Sequence, residues 1–140
     1  MFRFAIASAL CVLALAWASA AVSAPAGGDV SAPAGRWLAE DIRGGVIDRL
    51  QTVLEISPDG RISGSGGCNR MSGTATIAGD TITFGPIAST KMACSRTAMN
   101  QENRFFAALN DVRAWRFDPA RHKLTLLGAD GTPLIVLARM

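Results

Sequence analysis

From residue 52 onward, apolar and polar positions alternate with a period of two. In "QTVLEIS" the residues Thr52, Leu54 and Ile56 share one face, and Val53 and Glu55 the other, as a half-buried strand requires. Pro58-Asp59-Gly60 marks a turn and "RISGSG" returns. "MSGTATI" then sets Met71, Gly73, Ala75 and Ile77 against Ser72, Thr74 and Thr76. Gly79-Asp80 turns the chain into "TITF", with Ile82 and Phe84 inward and Thr81 and Thr83 toward water. Short strands in series joined by tight turns predict an antiparallel meander.

The period then changes. "SRTAMNQENRFFAALNDV" holds no Pro or Gly, offers Ser95 or Thr97 as N-cap, and spaces Ala98, Met99, Phe105, Phe106 and Leu109 along one stripe. That spacing predicts a single helix over residues 96–110. Strands resume with "VRAWRF", which directs Trp115 and Phe117 to the core and Arg116 away from it, and with "KLTLLG" after the turn at Pro119. Asp130-Gly131 leads into "PLIVLA", apolar on both faces and so expected to be covered on both, with the helix as one cover. The fold class expected is mainly β (α+β). It is a small curved antiparallel sheet or partly open barrel of about eight short strands, with one α-helix inserted between strand groups.

The N-terminus reads differently. "MFRFAIASALCVLALAWASA" has Arg3, an apolar run and Ala18-Ser19-Ala20, the pattern of a cleaved secretory signal with the cut after Ala20. Its core is too short and Ala-rich for a membrane span. Cutting after Ala24 would put Pro25 just past the scissile bond. Around Cys11, Ser8 and Leu10 fill the places where a lipobox has a Leu-like and a small residue, so lipidation is not expected. Residues 21–35, with "SAPAG" twice, carry one charge and no apolar face, the composition of a flexible linker. The domain is therefore assigned to residues 36–140, and the protein to the periplasm or the medium.

Charge and chemistry narrow the function further. The 14 Lys and Arg against 11 Asp and Glu give a formal charge of +3, and the leader takes Arg3 with it. So slight an excess provides no strong field for nucleic acid or anionic lipid. Loss of Cys11 leaves Cys68 and Cys94, and two cysteines in an oxidising compartment form a disulfide by default. That bond would tie the helix entrance to the sheet, with the glycines of "GSGGCNRMSG" letting the backbones approach. His122, the only histidine, lies beside Lys123 on a turn, without a partner for general base catalysis. GxSxG, HExxH, P-loop and CxxC patterns are all missing, so catalytic, metal-binding and cofactor-binding residues are none. Two groups stand as candidate binding features. One is a polar patch of Asn69, Arg70, Ser89, Thr90 and Lys91, in which Asn69 and Arg70 reach the carbonyls of "IAST". The other is an apolar cleft between sheet and helix, lined by Met71, Phe84, Phe105, Phe106 and Trp115 with Ile82, Leu109 and Leu134. For both, the structural role carries more weight than the binding role.

The segments "GSGGCNRMSG", "FGPIASTKMAC", "AMNQENRFFAAL" and "WRFDPARHKLTLLGADGTPLIVL" follow in an order and spacing that resembles the META domain family, the HslJ-like heat-inducible envelope proteins. The likeness spans residues 36–138. It implies a small β-rich domain with one helix between two strand groups, similar in shape to a lipid-binding secretion pilotin. It also implies export and a link to stress tolerance, and it points to no family-wide catalytic activity. Three functions are weighed on this basis. The first is a non-enzymatic envelope accessory protein acting on an envelope protein or lipid partner. The second is a binder of a small apolar ligand or lipid in the cleft, and the third is a secreted protease inhibitor presenting the braced Cys68 loop.

Overall fold

The computed structural model describes residues 33–46 and 50–140. The expected signal (1–20) and most of the expected linker (21–35) lie outside the described residues. The elements in chain order are β1 (Gly35–Ile42), β2 (Val53–Ile56), β3 (Arg61–Ser65), β4 (Arg70–Ala78), β5 (Thr81–Phe84), β6 (Ala88–Ser89), α1 (Arg96–Asp111), β7 (Val112–Asp118), β8 (Lys123–Gly128) and β9 (Pro133–Arg139).

Every pairing is antiparallel. The sheet runs β3-β2-β1-β9-β8-β7-β5-β4, and the further pairing of β3 with β4 closes it into an eight-stranded barrel. The expected sheet or partly open barrel is thus a closed one, and no long edge is left exposed along the ring. Strand β6 is the addition, a two-residue piece on β4 through Met71↔Ser89 and Ser72↔Ala88. The thinnest seam is β5–β7, where Thr81 faces Ala114 and the Trp115 amide donates to Asp80 O at 2.9 Å.

The period-two pattern becomes the barrel wall. Thr52, Leu54 and Ile56 are buried while Glu55 is exposed, and Ile82 and Phe84 are buried between exposed threonines. Ile135 and Leu137 of β9 face Leu126 and Leu124 of β8, all fully buried. Trp115 and Phe117 are only partly buried against this core, and Arg116 is exposed as its alternation requires.

Helix α1 starts on Ser95, whose Oγ accepts the Ala98 amide at 3.2 Å and satisfies one of the orphan donors of the first turn. It packs on β1, β5 and β9. Since β5 stands across the ring from β1 and β9, the helix lies across one barrel end and closes it. Its inner face carries Ala98, Phe105, Ala108 and Leu109, and also Gln101 and Glu102. Fully burying Phe105 or Leu109 contributes about 1.5–3 kcal/mol each. Met99 and Phe106, read as part of the stripe, sit at its margin.

Candidate functional site

The Gly-rich stretch before β4 meets the helix face at Gly66, where a Cβ would stand 2.5 Å from Glu102 Cγ. A residue with a side chain would push the helix away, so glycine here is a packing requirement. At Gly64, φ is +148° and a Cβ would lie 2.0 Å from Val53 O. Both glycines bring backbone close enough for the next residues to reach α1.

Those next residues are the centre of the site. Asn69 is 2% exposed and Glu102 of the helix is 2% exposed, so neither can rely on water for its hydrogen bonds. The Asn69 amide donates to Glu102 Oε1 at 2.6 Å, and Asn69 Nδ2 donates to Glu102 Oε2 at 2.8 Å. Asn69 Oδ1 in turn accepts the Met92 amide at 2.7 Å and the Thr90 hydroxyl at 2.9 Å. One side chain thereby ties three segments: the loop before β4, the stretch after β6, and the helix. A parallel chain runs beside it. Gln101 Nε2 donates to Thr52 Oγ1 at 2.9 Å, and Thr52 Oγ1 donates to Gly66 O at 2.8 Å. The disulfide Cys68–Cys94 spans the same junction, with Cα atoms 6.1 Å apart.

The polar patch read from sequence is brought together in part. Thr90 accepts the Arg70 amide at 3.2 Å, and Lys91 Nζ stands 3.5 Å from Ser89 Oγ. Asn69 is buried yet keeps its bond to Thr90 of the patch, and its partners are an amide, a hydroxyl and a carboxylate rather than the carbonyls of "IAST". The apolar cleft residues are core: Met71, Phe84 and Phe105 are 3%, 8% and 0% exposed, while Phe106 and Trp115 flank them. Trp115 is further held by Nε1 donating to Gly79 O at 3.0 Å. His122 is exposed on its turn at φ 52°.

Sequence reading missed Gln101 and Glu102. The signal was present, because they occupy the gap in the apolar stripe between Ala98 and Phe105 at helical spacing. It also missed an open depression of about 490 Å³ beside the helix C-terminus, lined by Arg43, Asp111, Arg113, Asp130 and Thr132. Its charges compensate one another: Arg43 pairs with Asp111, and Arg113 Nη1 donates to Asn110 O at 2.9 Å and Val112 O at 2.7 Å. The Thr132 amide, then its hydroxyl, hold the Asp130 carboxyl below the ordinary range.

A closed barrel capped by one helix, with a Cys-Asn loop stapled to it, can be set beside known proteins. The META domain pattern matches residues 30–140. The chain belongs to the META domain family. Among solved structures, similar folds recur at low identity. A protein from Burkholderia xenovorans solved by NMR is 20% identical with a TM-score of 0.62, covering 76% of this chain and 81% of that one. A DUF4847 family protein from Bacteroides vulgatus, solved by crystallography, is 20% identical with a TM-score of 0.56, covering 75% and 92%. A further NMR structure is 22% identical with a TM-score of 0.55, covering 75% and 88%. At such identities the likeness extends to the fold alone. No curated protein matches the chain. Among the described residues, no helix is long and apolar enough to cross a membrane.

Proposed function

We propose that this META domain protein is a non-enzymatic, exported accessory of the cell envelope that supports stress tolerance, periplasmic or secreted and without a lipid anchor. The observation that carries the reading is how the family motifs are used. Cys68 is bonded to Cys94, and Asn69, Thr90 and Glu102 take one another's hydrogen bonds. Groups so engaged are suited to fixing a shape and ill placed to activate a substrate. A covalent bond between cysteines is also at home in an oxidising compartment, in keeping with the N-terminal signal pattern. The test is deletion of the gene followed by heat, detergent and antibiotic challenge, with N-terminal sequencing of protein from the periplasm. Increased sensitivity and a chain starting at Ala21 are expected. Unchanged sensitivity under all three stresses would contradict the role.

A further inference from the structure

At the barrel end opposite α1, one half-buried cation turns one of its nitrogens inward from the mouth. Arg139 of β9 stands opposite Trp37 of β1, and Trp37 opposite Leu54 of β2. Paired residues share a face, and Trp37 and Leu54 are both fully buried, so the Arg139 side chain enters the barrel from its mouth. Its guanidinium carbon lies 5.0 Å from the Trp37 ring centroid, and Trp37 meets Phe117 edge-on at 6.1 Å. A Cβ on Gly35 would stand 3.3 Å from Cζ, Nη1 and Nη2 alike, so the guanidinium plane rests on that glycine.

This guanidinium has no acceptor. Its Nη1 is shut off from solvent and unpaired, and among the described residues Arg139 makes no side-chain hydrogen bond or ion pair. Arginine keeps its charge at any working pH, so it cannot escape the cost by losing a proton. The side-chain carboxylates near this end are engaged elsewhere: Glu40 with Lys123, Glu55 with Arg36, Asp59 with Arg61, and Asp118 with Arg121. A buried, unpaired charged donor calls for a missing partner.

We propose that the mouth around Arg139 is a binding site for a small carboxylate carried on an apolar body. The planar fork of Arg139 matches a carboxylate in two parallel hydrogen bonds. The surroundings, Trp37, Phe117 and Gly35, are apolar, and Phe117 is partly exposed where the ligand body would rest. Such walls favour a singly charged organic acid over a strongly hydrated inorganic anion. The site is independent of the envelope role proposed above and lies away from the Asn69–Glu102 junction.

Benzoate is the probe, titrated into the ¹⁵N-labelled protein against chloride at equal ionic strength. The cross-peaks of Arg139 Nε and Trp37 Nε1 are expected to shift and saturate in the millimolar range. Arg139→Gln should weaken the Trp37 response by about tenfold or more. Arg139→Lys, which keeps charge and stem but not the fork, should also weaken it, and serves if the Gln variant folds poorly. Arg116→Gln, an exposed cation on the outer face, should bind as the parent does. No saturable shift, an unchanged Trp37 response in both Arg139 variants, or an equal response to inorganic phosphate would overturn the site. Asp29→Asn tests an internal source: if it moves the Arg139 Nε peak without benzoate, the acceptor is the chain's own carboxylate and the ligand site is overturned.

Discussion

A single amide side chain does most of the joining at the junction of helix and barrel. Asn69 offers one donor group and one acceptor group, and here both are used: Nδ2 on Glu102, Oδ1 on Thr90 and Met92. Aspartate has the same shape without the donor, so Asn69→Asp would set two buried carboxylates against each other. The expected loss is about 3 kcal/mol at neutral pH by urea unfolding. The sign of its pH dependence follows. Burial beside another carboxylate raises the folded pKa of the introduced Asp side chain, so the penalty is relieved as pH falls, and the gap to the parent should be smaller near pH ~5 than near pH ~7. A gap that widens on acidification would mean the two side chains do not face each other. Asn69 and its partner Thr90 were visible in the sequence as candidates, but the helix partner Glu102 was not. A charged residue in a helix is read as solvated until tertiary contact places a donor pair before it, and residues 69 and 102 are far apart in the chain.

Elements were more legible than contacts, for a physical reason. Alternation and capping are local, so Leu54 and Ile56 marked β2 and Ser95 marked the start of α1 without knowledge of the fold. Closure was not legible, because the meander accounts for β3–β4, whereas β1–β9 and β5–β7 join strands distant in the chain and depend on the stagger of all eight strands. The two-residue β6 is too short to leave a periodic signal. At this scale Ser95→Ala, which removes the acceptor for the Ala98 amide, should cost about 1 kcal/mol in urea unfolding. The β8–β9 hairpin carries an acid-sensitive turn. Hydrogen bonds from the Thr132 backbone and then its hydroxyl lower the Asp130 pKa in the fold. A depressed carboxyl contributes stability that is present above its unfolded value and lost as pH falls through the folded one. Asp130→Asn should therefore lower stability slightly at neutral pH and flatten the acid limb, so that the two curves converge as pH falls below about pH 4. An identical acid limb in the variant would remove Asp130 from that role.

For the whole molecule, eight strands close on themselves and one helix shuts one end, so the helix-end junction decides whether the domain holds together as a unit. Three independent ties meet there: the Asn69–Glu102 pair, the Gln101–Thr52–Gly66 chain, and the Cys68–Cys94 bond. The disulfide closes a loop with a sequence separation of 26, worth roughly 3–4 kcal/mol in the chain-entropy model, a large share of the stability of a domain this small. The Cys68 stretch thus acts as a structural staple. The decisive measurement is the set of unfolding free energies of Cys68→Ser, Cys94→Ser and the double variant, taken together in urea under oxidising conditions. Nearly equal losses are expected for the two single variants, with almost no further loss in the double. Single losses that add in the double, or no loss in any of the three, would contradict it.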